Sequence, residues 1–275
     1  MDQATYATAR WGIERAAASG VPVIAFPHHD AKRLQALVDM HRNDRRTPIV
    51  VSDGLCPSCG VPAPVGEFLR CIAGCGGHVV LDDTQAIGVV GKRGGGSLRL
   101  NGICSREVII GSSLAKGFGV PMAVLAGSAD IIRRFEAESD TRMHCSPPSV
   151  AVLRAAEHAL AMNRAQGGRL RRHLAELILR FRAGLNAIGV RADGGLFPVQ
   201  TLKPAGSAAE AIHRRLLSFG IRTVLVKRRG APGAQVAFLI STLHRTSDID
   251  HAIEALGYAV NCGDSYRKLA MRRAS

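Results

Sequence analysis

Short apolar runs alternate with stretches of helical period through the first half of the chain. Val23-Ile24-Ala25-Phe26, Ile49-Val50-Val51, Val79-Val80-Leu81, Val108-Ile109-Ile110 and Met122 to Ala126 are too short for helices and rich in β-branched residues, so each predicts a strand. Between them, Ala7 to Ser19 is helix-compatible and stops at Gly20, Ala31 to Met40 puts Leu34, Leu37 and Val38 on one face, and Glu67 to Ala73 predicts a short helix. Strands that alternate with helices predict a mostly parallel sheet covered on both sides. After Pro147-Pro148 the pattern changes. Ser149 to about Leu185 reads as helix with a break near Gly167-Gly168. Phe197 to Gln200, a helix from Ala208 to Ser218, strands near Thr223 to Val226 and Val236 to Ile240, and a helix from Asp248 to Leu256 complete a smaller α+β unit. The expected division is a large domain over 1–160, a small one over 161–262 and a basic tail over 263–275.

Composition narrows the class. Of 275 residues, 47% are hydrophobic and 21% charged, which excludes a disordered chain, a collagen-like repeat and a small disulfide scaffold. No apolar run reaches the roughly 18 residues of a membrane helix, and the polar opening Met1 to Tyr6 holds no secretion core. A cytoplasmic protein with no membrane partner is expected. The net charge of +14 could favour an anionic partner. Nucleic acid is nevertheless not expected, because the Arg residues are scattered and aromatics make up only 4%. Seven Cys, an odd number, predict reduced thiols.

Three constellations could carry chemistry. Cys56-Pro57-Ser58-Cys59 with Cys71-Ile72-Ala73-Gly74-Cys75 offers two thiol pairs of the kind that hold zinc. Yet the second pair falls on a helix with Phe68, Leu69 and Ile72, which favours small buried hydrophobes, so no metal ligand is assigned. Asp82-Asp83-Thr84-Gln85 follows an apolar strand, at the end where open α/β sheets bind ligands. Gly111-Ser112-Ser113-Leu114-Ala115-Lys116-Gly117 follows another, with hydroxyls and an amine in a glycine-rich turn. Only six of the 36 basic residues are Lys, and an Arg cannot replace an amine that must condense with a carbonyl.

Asp82 at one strand end, and Lys116 at a later one with Ser113 three residues before it, resemble the core of the fold-type-I pyridoxal-phosphate (PLP) enzymes. Asp82 to Gly91 resembles the Asp-Asp/Glu-Ala-His-x-x-Gly-x-x-Gly segment of the α-oxoamine synthases, and Ser113 to Gly119 their Thr-x-x-Lys-x-x-Gly segment. Phe26 to Asp30, Asp53-Gly54, Ala126 to Ser128, Pro147-Pro148 and Thr242 to Ile249 add to the likeness, which runs from about Gln3 to Leu256. The resemblance implies a PLP-transferase large domain, shortened at its N-terminus, followed by the small α+β domain. It implies a PLP-dependent acyltransferase that condenses an amino acid with an acyl thioester and works as a homodimer. In that chemistry Lys116 is catalytic: it holds the cofactor aldehyde and then acts as base. Asp82 pairs with the pyridine nitrogen, Ser113 donates to the phosphate, and Thr84 and Gln85 belong to the cofactor site.

The chain departs from the family at several positions. Gln85 stands where the family has His, Gln3 where a ring-stacking His is expected, and Val51 where a cofactor-contacting Ser is expected. The Ser or Thr that a second subunit contributes falls among Met143, His144 and Cys145. The Arg for the substrate carboxylate falls near Gln235 or Ala237, which leaves Lys227 as the candidate substitute. The alternatives are a PLP-dependent aminotransferase, a non-catalytic remnant of the fold that binds a partner, and a zinc-bound basic nucleic-acid module.

Overall fold

The computed structural model describes residues 1–42, 46–203, 207–227 and 233–261. It separates into two compact units, one of Met1–Cys56 with Pro62–Gly168 and one of Pro57–Val61 with the chain from Arg169 onward.

The first unit opens with α1 (Ala7–Ala18) and α2 (Ala31–Met40). Asp30 caps α2 by accepting from the Arg33 amide at 2.8 Å, and Ala31, Leu34 and Val38 form its buried face. Then come β1 (Ile49–Asp53), α3 (Val65–Cys71), β2 (His78–Asp82), α4 (Gly96–Asn101), β3 (Val108–Ser113), β4 (Ala123–Ala126), α5 (Ala129–Glu138), α6 (Asp140–His144) and the start of α7 (Val150–Ala187). The sheet order is β1-β2-β3-β4. The first two pairings are parallel and the last antiparallel, a mostly parallel sheet as expected. Phe26, Val50, Val65, Phe68, Val79 and Leu81 fill the core, with Phe26 edge-on to Phe68 at 5.7 Å. A smaller cluster packs Leu114 and Val120 on Ala156 of α7.

Val23 to Phe26 is not a strand, contrary to the periodicity. It makes one isolated bridge, from Phe26 to Asp2, and Ile24 O accepts from the Met1 amino group at 2.6 Å. Pro22 and Pro27 bracket the run and withhold amide donors, and Val23 and Ile24 stay exposed. They help line a cavity of about 880 Å³ beside the N-terminal half of β1, together with Ile13, Val21, Leu37 and Val50.

In the second unit, α7 continues to Ala187 and is followed by β5 (Arg191–Asp193), β6 (Val199–Lys203), α8 (Ser207–Ser218), β7 (Val224–Lys227), β8 (Ala234–Leu239) and α9 (Thr246–Asn261). The antiparallel sheet β5-β6-β8-β7 and the helices enclose Phe181, Leu185, Leu216, Phe238 and Leu256, with Phe181 and Phe238 rings 4.9 Å apart. The expected break at Gly167-Gly168 is absent, because α7 is one helix of 38 residues. The two units divide within it, at Gly168 and Arg169. The expected tail over 263–275 lies outside the described residues.

Candidate active site

Three parallel strands end together, and their ends carry the polar residues. Asp53, at the close of β1, is in register with Asp82 at the close of β2, which is in turn in register with Gly111 of β3. Backbone bonds carry the chains past these ends: Gly54 N donates to Asp82 O and Asp83 N to Gly111 O, both at 2.8 Å. Thr84 then ties the second strand to the third. Its amide donates to Asp82 Oδ1 at 3.0 Å, and its hydroxyl accepts from the Ser113 amide at 2.9 Å. Ser113 Oγ accepts from Ala115 N at 3.3 Å, which shapes the turn that presents Lys116. Lys116 is exposed, and its Nζ lies 5.1 Å from the centre of the Tyr6 ring. Tyr6 closes the circuit, because its amide donates to Asp53 Oδ1 at 3.0 Å.

Asp53 and Asp83 sit in different surroundings. Burial pushes the Asp53 carboxyl up to about 7, helped by the neighbouring Asp82 charge and opposed by the Tyr6 amide. Its Oδ2 is buried and has no hydrogen-bond partner among the described residues. Asp83 is also raised, first by burial and next to Asp82, against its bonds from Ser97. Its two oxygens accept from the Ser97 amide at 3.3 and 3.0 Å, and Gly54 and Gly96 crowd so close that a β-carbon on either would overlap the carboxylate. Asp83 is thus walled in as a structural acid, while Asp82 is only half-buried.

Sequence reasoning named Asp82, Thr84, Ser113 and Lys116, and the structure brings these to one set of strand ends. Gln85 lies half-buried in the turn just after them. Lys227 closes β7 in the second unit, in register with Ala234, and its side chain lies outside the described residues. Met143, His144 and Cys145 are exposed at the end of α6. Two residues were missed. The aromatic ring beside Lys116 is that of Tyr6, not a group at Gln3, which is exposed and holds Phe26 O through its amide. Asp53 was noticed only as part of an Asp-Gly pair; its place at the end of an apolar run, like that of Asp82, was the available signal. The four-thiol arrangement does not form. Cys71 is buried on α3 with its thiol 3.3 Å from Ala31 O, and neither it nor Cys75 joins a converging group of potential metal ligands among the described residues.

This geometry fits a phosphorylated pyridine aldehyde. The Lys116 amine makes no hydrogen bond or ion pair among the described residues, an aromatic face stands beside it, and a buried carboxylate oxygen of Asp53 waits for a partner. Sheet, strand-end acid and lysine-bearing turn define the class as the fold of PLP-dependent transferases. Residues 12–256 match aminotransferase class I and II, and the chain belongs to that family.

Among its relatives, the 8-amino-7-oxononanoate synthase of Halorhodospira halophila is 31% identical over 242 residues, 86% of this chain and 58% of the relative. That of Thioalkalivibrio sulfidiphilus is 30% identical over 250 residues, 89% of this chain and 63% of the relative. The chain therefore spans about three-fifths of the length of these relatives. Among solved structures, Sphingomonas wittichii serine palmitoyltransferase aligns at a TM-score of 0.82 and 16% identity, over 94% of this chain and 65% of that one. The 8-amino-7-oxononanoate synthase of Francisella tularensis aligns at 0.77 and 17%, over 99% and 75%. At these identities the structures show a shared fold. A further neighbour at 0.82 and 16%, covering the same 94% and 65%, is SPT with PLP as its internal aldimine.

Proposed function

We propose that the chain binds PLP through Lys116 and acts as an 8-amino-7-oxononanoate synthase-like acyltransferase, joining an amino acid to an acyl thioester. The observation that carries this reading is the circuit of Lys116, Tyr6, Asp53 and Asp82 around the ends of three parallel strands. When bound, PLP supplies an electron sink that stabilises a carbanion on the amino acid.

The protein's own groups do the rest. The Lys116 amine would hold the cofactor at its aldehyde and would be the base for the α-proton of the amino acid. Asp82 would pair with the pyridine nitrogen and favour its protonated form. The Ser113 hydroxyl would donate to the phosphate, Thr84 fixes the spacing of Asp82 and Ser113, and Gln85 would belong to the cofactor site. Tyr6 offers an aromatic face to the cofactor. Lys227 is assigned to the substrate carboxylate. Together with the family resemblance, the reading carries a homodimer and a cytoplasmic location; no described helix is long and apolar enough to cross a membrane.

The test is direct. Purified protein titrated with PLP should gain a visible chromophore at one equivalent, and borohydride should fix the cofactor on Lys116. Lys116→Ala should lose both. If Lys116→Ala keeps the borohydride-fixed label, or the unaltered protein gains no chromophore, the reading is wrong.

A further inference from the structure

The first unit carries an apolar cavity that the cofactor reading does not use. It lies beside Ile49 to Val51, the N-terminal half of β1, whereas Asp53 and Asp82 close their strands at the opposite end. Its volume is about 880 Å³, within the roughly 300–1,000 Å³ of pockets that take small organic molecules.

The walls are apolar and part of them stands in water. Val21, Val23, Ile24 and Ile49 all line the cavity and are 40% to 60% exposed. Exposed apolar side chains that share one concave surface mark a place of binding. Pro22 and Pro27 restrict the backbone on either side of Val23 to Phe26, so this wall is formed in advance. The facing wall is α2. Leu34, Leu37 and His41 follow one another along it at helical spacing and all line the cavity, over a length of about 10 Å.

Charge marks one end. Arg42 comes just after α2 and Arg46 just before β1, beside His41, and no Asp or Glu is among the described lining residues. Arg42 does reach Asp39, at 3.8 Å, but both side chains of that pair are more than half exposed, which makes it a weak competitor. Guanidinium forks suit a planar carboxylate, which can accept two parallel bonds.

We infer that this cavity binds a free medium-chain fatty carboxylate, with its aliphatic chain between α2 and the Val21–Ile24 strip and its head at Arg42 and Arg46. The ligand is held without covalent chemistry, and its site lies wholly in the first unit.

Isothermal titration of the full chain, saturated with PLP, with octanoate, decanoate and dodecanoate provides the test. One equivalent should bind, and affinity should rise about fourfold for each added methylene that is buried. Decyltrimethylammonium, with the same chain and the opposite charge, should bind about tenfold more weakly or worse. Arg42→Gln/Arg46→Gln alters two exposed side chains and should weaken decanoate by about tenfold or more. Ile24→Trp, which fills the cavity from an exposed position, should abolish binding in a variant whose thermal melt shows it folded.

The inference is overturned if decanoate does not saturate, if affinity is flat across the chain-length series, or if the cationic amphiphile binds equally well. Unchanged affinity in Arg42→Gln/Arg46→Gln overturns it too. So does decanoate binding that weakens as the protein is concentrated, which gives the face to a second copy, or retention on phosphatidylglycerol vesicles that decanoate does not displace, which gives it to a lipid surface. The titration should read the same without PLP, and competition between decanoate and PLP would place the ligand in the cofactor site instead. The two sites therefore stand or fall separately.

Discussion

Asp53 shows how much one buried oxygen can change. Its carboxyl is held near 7, against about 3.9 in an unfolded chain. The folded protein keeps this proton over a range where the unfolded chain has released it. The stability from this group is therefore complete below about pH 4 and is lost as the pH rises through 7. Asn at this position still accepts from the Tyr6 amide and never ionises. Asp53→Asn should match the unaltered protein in urea midpoint at pH 4 and exceed it at pH 8, by on the order of 1–4 kcal/mol. A variant that is weaker at pH 8 would show that the charge is stabilised rather than stranded. Neighbouring acids thus have unlike surroundings: Asp53 keeps a buried oxygen without a partner among the described residues, Asp82 is half-buried, and Asp83 is clasped by Ser97 and two glycines.

At the scale of elements, α7 tests local propensity. Gly168 is exposed within it, and a β-carbon there would meet nothing within 4 Å. Gly168→Ala should raise stability by about 0.5–1 kcal/mol, because the backbone freedom of glycine is lost on folding without compensation. A thermal melt decides this, and a drop in midpoint would mean that the helix is bent or contacted there. The same helix marks a limit of sequence reading: two adjacent glycines looked like a break, but long flanks of helix formers carried the chain through them. The buried strands β1, β2 and β3 were legible because their β-branched runs cannot satisfy a helix face. Val23 to Phe26 was misread for want of a partner strand, which composition does not reveal. The helix α4 was hidden by the glycines that precede it, and α5, which buries no residue, left a weaker trace. Asp82, Ser113 and Lys116 were legible through family motifs and their spacing. Tyr6 was not, because its approach to Lys116 depends on a fold that joins residues 110 positions apart.

At the scale of the molecule, charge and glycine have the larger consequences. A net charge of +14 predicts retention on a polyanion at low salt without preference for sequence. Elution should come early in a salt gradient, while a sequence-selective DNA shift at physiological salt would contradict a diffuse Arg surface. The glycines matter for another reason. A β-carbon on Gly117 would stand 2.2 Å from Ile87 O, so the backbone beside Lys116 presses on the loop that leaves Asp82 and Thr84. Amine and acid are therefore anchored on one stiff frame, main chain against main chain, with only the long lysine stem left to swing. Such a chassis can outlast the exchange of many side chains around it. A single methyl at 117 would unseat the pair together.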